Sequence, residues 1–152
     1  MKLTAHRLVV KKFAADAFTG KGARLWGGRW NPPGIGVVYT SGTLSLASLE
    51  FLAHFETGSD LPDLVSYRLV FDEKLVTRIS KPPVDWRHTP SPSSTQLLGK
   101  TWCDNARSAV LRVPSAIIPS EDNFILNPAH PDFKAITIES PVPFSIDPRL
   151  IV

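Results

Sequence analysis

The stretch WGGRWNPPGIGVVYTS, residues 26–41, places an arginine between two tryptophans and follows it with a turn and a strand-like run. The pair Pro33-Gly34 favours a type II turn, because proline fixes a negative φ and glycine tolerates the positive φ that comes next. We therefore predict a stiff hairpin in which residues 29–30 run back beside residues 37–39.

Arg29 within this stretch has two interpretations. Gly27 and Gly28 precede it and would leave room for a ligand to approach the backbone, which favours the wall of a pocket. Alternatively, Arg29 is a surface cation that stacks on Trp30 for packing alone. The stretch by itself leaves both interpretations open.

The composition is typical of a globular protein with one domain, residues 1–152, since 43% of the residues are hydrophobic and 20% are charged. No run approaches the roughly 18 apolar residues of a membrane span. The N-terminal residues lack the features of a signal peptide, and the chain has a single cysteine, Cys103, so we expect a cytoplasmic protein. The net charge of +3 fits a phosphate-bearing ligand or an acidic partner as well as nucleic acid.

The pattern of apolar residues predicts an α+β fold. Alternating β-branched and aromatic residues indicate strands over residues 37–41, 64–71, 110–117 and 135–138. Residues 43–58 have apolar side chains at helical spacing and end at Gly58, where a helix terminus is expected. A second helix is predicted over residues 96–105, capped by the hydroxyls of residues 93–95. Few helices and long loops indicate a compact mixed sheet with packed helices.

Glu50 is unusual because it lies in the first predicted helix among residues expected to be buried. A carboxylate in that position needs a partner, which would suit a functional site. The alternative is an exposed pair with His54, four residues further along the helix. The sequence leaves both open.

Ser115 follows a predicted strand in VPSAIIPSEDNFILNPAHPDF, residues 113–133, where Asn123, Asn127 and His130 also occur. A triad nucleophile would need a histidine base, an orienting acid and a G-x-S-x-G elbow, and none of these is present. A serine that hydrogen-bonds backbone or ligand is favoured, with a simple turn serine as the alternative.

Three segments taken together, GGRWNPPGIGVVYTS, LASLE and VPSAIIPSEDNFILNP, resemble the RES domain, the toxin half of bacterial RES–Xre toxin–antitoxin pairs. The resemblance extends from His6 to about Phe133, and residues 81–94 contribute little to it. It implies a fold like that of ADP-ribosyltransferases. It also implies an enzyme that consumes NAD⁺ by hydrolysis or phosphorolysis, or that transfers ADP-ribose to a protein.

The resemblance also implies roles for individual residues. It makes Glu50, Arg29 and Ser115 the catalytic residues, and Arg7, Arg29, Tyr39, Trp30 and Ser115 the residues that bind NAD⁺. Guanidinium groups suit the pyrophosphate, and an aromatic ring suits the cationic nicotinamide. Ser115 would either hold the nicotinamide amide or orient Glu50. No metal and no cofactor are expected, since NAD⁺ is the substrate.

The expected function is therefore that of a toxin that depletes NAD⁺ and arrests growth. One alternative is a mono-ADP-ribosyltransferase that modifies a protein. Another is a basic nucleic-acid-binding module, which the dispersed lysines and arginines disfavour. The resemblance implies a cognate Xre-type antitoxin that blocks the site in a dimeric or larger complex, with DNA bound through the antitoxin.

Overall fold

The computed structural model describes residues 1–56 and 58–151. Within them, eight strands form one mixed sheet and three α-helices pack around it. The strands are β1 (Lys2–Val10), β2 (Val38–Ser41), β3 (Leu64–Asp72), β4 (Val76–Arg78), β5 (Val110–Pro114), β6 (Asp122–Leu126), β7 (Thr137–Ile138) and β8 (Val142–Phe144). The helices are α1 (Lys21–Trp26), α2 (Leu44–His54) and α3 (Ser93–Asp104). None of these helices is long and apolar enough to span a bilayer.

The sheet places β2 at its centre. The strand order is β4-β5-β6-β2-β1-β3-β7, and β8 also pairs with β3. Only β4 and β5 run parallel among the described strands. Helix α2 follows β2 after two residues and packs against β1 and β2. The end of the central strand and the helix that leaves it therefore meet at one edge of the sheet.

Two apolar clusters lie on opposite faces of this sheet, because successive strand residues point to opposite sides. Val38 and Phe124 belong to one cluster, while Val37 and Ile125 belong to the other. The second cluster contains Trp30, and α3 covers it with Trp102, Leu98 and Cys103. This packing brings the segment that precedes β2 against α3.

The predicted α+β fold with its mixed sheet is confirmed, and so are both predicted helices and four of the strands. Some ends differ. Helix α2 stops at His54, before Gly58, and β5 stops at Pro114, because the chain turns back there and the Ser115 N–H bonds the Glu121 carbonyl. The capping prediction for α3 was wrong, since Ser93 is already helical and Pro92 is the N-cap.

The predicted turn is present, but the predicted hairpin is wrong. Gly34 has a φ of 98°, and the Ile35 N–H bonds the Pro32 carbonyl at 3.3 Å. However, β6 pairs with β2 along its whole length and β1 pairs with it at Ser41, whereas residues 29–30 form no pairs with β2. They pack against α3 instead.

The two glycines before Arg29 border a cleft, as the sequence suggested, and both positions are also closely packed within the protein. A Cβ on Gly28 would lie 2.6 Å from the Tyr39 hydroxyl, and one on Gly27 would lie 2.9 Å from the Pro33 ring. Close packing therefore requires glycine at both positions, in addition to any contact that their backbone makes across the cleft.

Candidate active site

A cleft of about 970 Å³ lies beside α2 and the ends of β1, β2 and β6. Five of the residues predicted from sequence line it, namely Arg7, Arg29, Trp30, Tyr39 and Glu50, whereas Ser115 does not. The cleft also borders residues that the sequence analysis did not assign to a site, including His54, Arg87 and Asn123. Its size is within the usual range for a site that holds a small-molecule ligand.

Glu50 reaches the cleft from the last turns of α2, a helix that begins at the Thr43 cap. Its Oε1 accepts a hydrogen bond from Ser115 Oγ at 2.9 Å and another from Asn123 Nδ2 at 2.7 Å. Its Oε2 accepts none from the described residues. The His54 ring contacts the Glu50 backbone carbonyl at 3.0 Å and not the carboxylate, so the exposed side-chain pair considered above does not form. One carboxylate oxygen is therefore fixed and the other is available to a ligand.

Ser115 supports this carboxylate from behind. Its side chain is fully buried, and its Oγ accepts the N–H groups of Ile117 and Ile118, each at 3.1 Å, while donating to Glu50. The hydroxyl has no remaining donor and no exposure to the cleft. Of the two roles considered for Ser115, the structure therefore favours orienting Glu50, and it gives no support to a direct contact with NAD⁺.

Asn123 is a site residue that sequence reasoning did not assign. It lies on β6 opposite Ser41 and holds Glu50 through Nδ2. Its Oδ1 is buried and has no hydrogen-bond partner. The reverse amide orientation would set two oxygens against each other, so the bond to Glu50 fixes the one observed. The sequence signal was weak, since Asn123 only begins the apolar run of β6.

Arg7 is a partly buried cation that lines the cleft. On β1, it donates from Nε to the Ala17 carbonyl at 2.7 Å and from Nη1 to the Tyr39 carbonyl at 2.8 Å. No acidic side chain forms an ion pair with it within residues 1–56 and 58–151. Burial lowers the pKa of Arg7 to about 10, which leaves it charged at neutral pH. A buried charge without a carboxylate partner is costly, which favours a site prepared for an anion.

Arg29 is held by the loop that precedes α3. Its Nη1 donates to the carbonyls of Trp86 at 2.9 Å and His88 at 2.7 Å. It also lacks an acidic partner in the part of the chain that the structure describes. The loop, to which the family resemblance gave little weight, is thus part of the site.

Tyr39 and Trp30 mainly stabilise the segment around Arg29 through hydrogen bonds and packing. The Tyr39 hydroxyl donates to Asn31 Oδ1 at 2.6 Å and accepts the Trp30 N–H at 3.0 Å. Burial raises the pKa of Tyr39, so the phenol stays neutral. Trp30 is only 2% exposed and packs in the second cluster, so it contributes little surface to the cleft that it borders.

The fold and the cleft define a small α+β protein in which one oriented carboxylate and arginines without ion pairs among the described residues line the same cleft. The chain belongs to the RES domain family, whose model matches residues 4–147. The resemblance inferred from the sequence is confirmed.

Similar proteins span nearly the whole chain. The Toxin Res of Yersinia enterocolitica is 34% identical over 148 residues, covering 95% of this chain and 97% of that protein. The Toxin Res of Photorhabdus laumondii is 39% identical over 150 residues, covering 96% of each. The Prs ADP-ribosylating toxin of Sphingobium is 38% identical over 148 residues, covering 93% of this chain and 91% of that protein.

A solved structure has the same fold. The crystal structure of the M. tuberculosis MbcT–MbcA toxin–antitoxin complex aligns with a TM-score of 0.78, covering 99% of this chain and 87% of that one. The sequences are 17% identical, so this likeness concerns the fold.

Proposed function

We propose that this protein is the toxin of a toxin–antitoxin pair and that it breaks the bond between nicotinamide and ribose in NAD⁺. The observation that supports this most strongly is the Glu50 carboxylate, fixed through one oxygen by Ser115 and Asn123. It faces a cleft that also contains Arg7 and Arg29. A carboxylate and unpaired cations in one cleft suit a substrate with a reacting cationic ring and a pyrophosphate.

The chemistry requires one negative group. Nicotinamide leaves as a neutral molecule, because the electron pair of the breaking C1″–N bond neutralises the pyridinium. Positive charge then develops on the ribose, and no general acid is needed. In our proposal Glu50 Oε2 lies at the ribose and stabilises that charge more strongly in the transition state than in the ground state.

The arginines bind the phosphates. Arg7 and Arg29 each have N–H groups that make no hydrogen bond to the described residues, and a planar guanidinium binds phosphate oxygens in a fork. The Tyr39 ring lines the cleft and offers an aromatic face to the nicotinamide. NAD⁺ enters as the substrate, and the proposal requires neither a metal nor another cofactor.

The test is to incubate purified protein with NAD⁺ and to measure free nicotinamide, with and without inorganic phosphate. Glu50→Gln keeps the acceptor oxygen for Ser115 and Asn123, so it should preserve the melting temperature while reducing the rate about 10³-fold or more. Glu73→Gln, far from the cleft on the surface, is the matched control and should retain activity. Full turnover by Glu50→Gln would refute the role of this carboxylate.

Transfer of ADP-ribose to a protein is a second candidate, favoured by the name of the Sphingobium relative. It uses the same bond cleavage, with a protein side chain in place of water or phosphate as the acceptor. NAD⁺ labelled in its adenine separates the two. Label that stays on small molecules supports NAD⁺ depletion, whereas label on a macromolecule supports transfer.

We further propose a cytoplasmic antitoxin partner with an Xre-type DNA-binding domain, which covers the cleft in a dimeric or larger complex. Coexpression should yield a complex in which release of nicotinamide is suppressed. DNA should bind this complex and not the isolated toxin. Salt-sensitive DNA binding by the toxin alone would instead favour the nucleic-acid-binding alternative.

A further inference from the structure

Arg87 lies at the cleft in an arrangement that neither the family motifs nor the proposed mechanism uses. It is located between Trp86 and His88, whose carbonyls both accept hydrogen bonds from Arg29 Nη1. Arg87 lines the same cleft as Arg29. The loop therefore fixes one arginine with its backbone and supplies a second with its side chain.

The Arg87 side chain is tethered on the catalytic side of the cleft. Its Nε donates to the Ala116 carbonyl at 2.7 Å. Ala116 directly follows Ser115, which holds Glu50. This tether uses Nε alone, and neither Nη1 nor Nη2 makes a hydrogen bond to residues 1–56 or 58–151.

Donation to backbone carbonyls separates the cleft arginines from others, since the side chains of Arg24, Arg78 and Arg107 also lack ion pairs but make no hydrogen bond to residues 1–56 or 58–151. Arg68, Arg112 and Arg149 each pair with a carboxylate. The three arginines that line the cleft bind backbone carbonyls instead, and none has an ion pair among the described residues. A carbonyl orients a guanidinium without neutralising its charge, so three full positive charges face one cavity.

We propose that Arg87 binds a phosphate group in this cleft, with Nη1 and Nη2 forming a fork beside Arg29. The inference rests on the proposed function and adds a residue to its binding surface. The phosphate has two sources. It is either the pyrophosphate of NAD⁺ or free inorganic phosphate that acts as the acceptor.

In the second case the reaction is a phosphorolysis. An oxygen of HPO₄²⁻ forms a bond to C1″ of the ribose as the C1″–N bond breaks and its electron pair stays with nicotinamide. The products are ADP-ribose 1″-phosphate and neutral nicotinamide. When water is the acceptor, ADP-ribose forms and one proton is released.

The experiment compares wild type, Arg87→Gln and Arg87→Lys, with Arg107→Gln as the control for loss of an exposed arginine elsewhere. Nicotinamide release is measured over a series of NAD⁺ concentrations at a fixed phosphate concentration, and over a series of phosphate concentrations at a fixed NAD⁺ concentration. The products are identified by mass. Binding of ADP-ribose and of inorganic phosphate is measured by calorimetry on the same proteins, and their melting temperatures are recorded.

Loss of a charged hydrogen bond should weaken binding about tenfold or more. If the pyrophosphate is the ligand, Arg87→Gln raises KM for NAD⁺ and Kd for ADP-ribose by that factor with or without phosphate. If the acceptor is the ligand, Arg87→Gln raises KM and Kd for inorganic phosphate, and the products shift towards ADP-ribose. In both cases Arg87→Lys, which keeps the positive charge, should lose less binding affinity than Arg87→Gln.

The inference is overturned if Arg87→Gln alters neither ligand's binding more than Arg107→Gln does. It is also overturned if Gln and Lys variants lose binding equally, because Arg87 would then act only as a tether for the loop. Should the wild type release no nicotinamide, the proposed function fails, while the calorimetric comparison still decides whether Arg87 binds phosphate.

Discussion

Ser115 Oγ and Glu50 Oε1 lie 2.9 Å apart, although 65 residues separate them along the chain. The bond joins helix α2 to the turn after β5, two elements that meet only because β6 pairs with the central strand β2 and with β5. The orientation of the carboxylate is therefore a product of the sheet topology. Three separate segments of sequence are needed to fix one functional group.

Ser115→Ala should reduce kcat for NAD⁺ about 10- to 100-fold with little change in KM, because the serine orients Glu50 and is buried away from the ligand. It should also lower the free energy of unfolding by about 1–3 kcal/mol, since the N–H groups of Ile117 and Ile118 lose their acceptor. Steady-state kinetics and urea unfolding measure the two effects. As a control, Ser48→Ala removes a hydroxyl that bonds only the Leu44 carbonyl within α2. A large rise in KM with kcat unchanged would contradict this role.

Asn123→Ala should lower kcat about tenfold, since it removes the 2.7 Å bond to Glu50. It should destabilise the protein less than Ser115→Ala, because it also removes the Oδ1 atom that is buried without a partner. Asn123→Asp should be the slower enzyme of the two at neutral pH, since it replaces a donor with a second negative charge beside Glu50. If Asn123→Asp were as active as wild type, Asn123 would not be positioning this carboxylate.

Tyr39→Phe should destabilise the protein by about 1–3 kcal/mol, because Asn31 Oδ1 and the Trp30 N–H both lose the phenol. KM for NAD⁺ should rise as well, since Trp30 directly follows Arg29. Burial raises the pKa of Tyr39, an acid, so its neutral form persists above its ordinary pKa of about 10. The ratio of variant to wild-type activity should therefore be constant between about pH 6 and pH 9. A ratio that changed across that range would indicate that the phenol ionises during turnover.

The sequence predicted the fold class well because local patterns set it. Helix α2 and strand β3 have clear periodicity, and the Pro33-Gly34 turn follows from two residues alone. Strand β6 was missed because its polar start, Asp122 and Asn123, looks like the end of a loop, although the strand is buried between two neighbours. The pairing of β6 with β2 and β5, and not its local sequence pattern, makes this segment a strand.

The site was predicted only where a motif marked it. Glu50 and Arg29 stood out in their local context and the family pattern assigned them to a site, whereas Asn123 has only a weak local signal and Arg87 has none. Trp30 beside an arginine suggests a ligand contact, and although it borders the cleft, nearly all of its surface is buried in the core. Which face of a segment meets the cleft depends on what packs against the other face.

Arg7→Met should leave the stability of the folded protein nearly unchanged while it weakens binding of the ligand's phosphates. Burial lowers the pKa of Arg7 to about 10, so the unfolded chain holds this proton more tightly than the folded protein does. Charged Arg7 therefore reduces the free energy of unfolding at neutral pH, and this cost is relieved as pH rises through about 10 towards the ordinary pKa of arginine. Arg7→Met removes this desolvation cost but also removes the two hydrogen bonds of Arg7. The two effects offset each other, so the free energy of unfolding should change by less than about 2 kcal/mol.

Ligand binding supplies the other half of that test. ADP-ribose should raise the melting temperature of the wild type, because it binds only the folded state, and should have little effect on Arg7→Met. Thermal unfolding with and without ADP-ribose measures this. Equal protection of both proteins would show that Arg7 does not contact the ligand's phosphates.

Gly99→Ala should be among the most damaging single-methyl changes in this fold, because a Cβ at residue 99 would lie 1.6 Å from the Trp30 carbonyl oxygen. Helix α3 and the segment that contains Arg29 would have to separate, so we expect a loss of about 3 kcal/mol or more and a rise in KM for NAD⁺. Gly22→Ala is the matched control. Gly22 is an exposed residue of α1 with nothing within 4 Å of its Cβ position, so alanine there should stabilise the protein by about 0.5–1 kcal/mol. Equal melting temperatures for the two variants would mean that α3 does not hold the Arg29 segment in place.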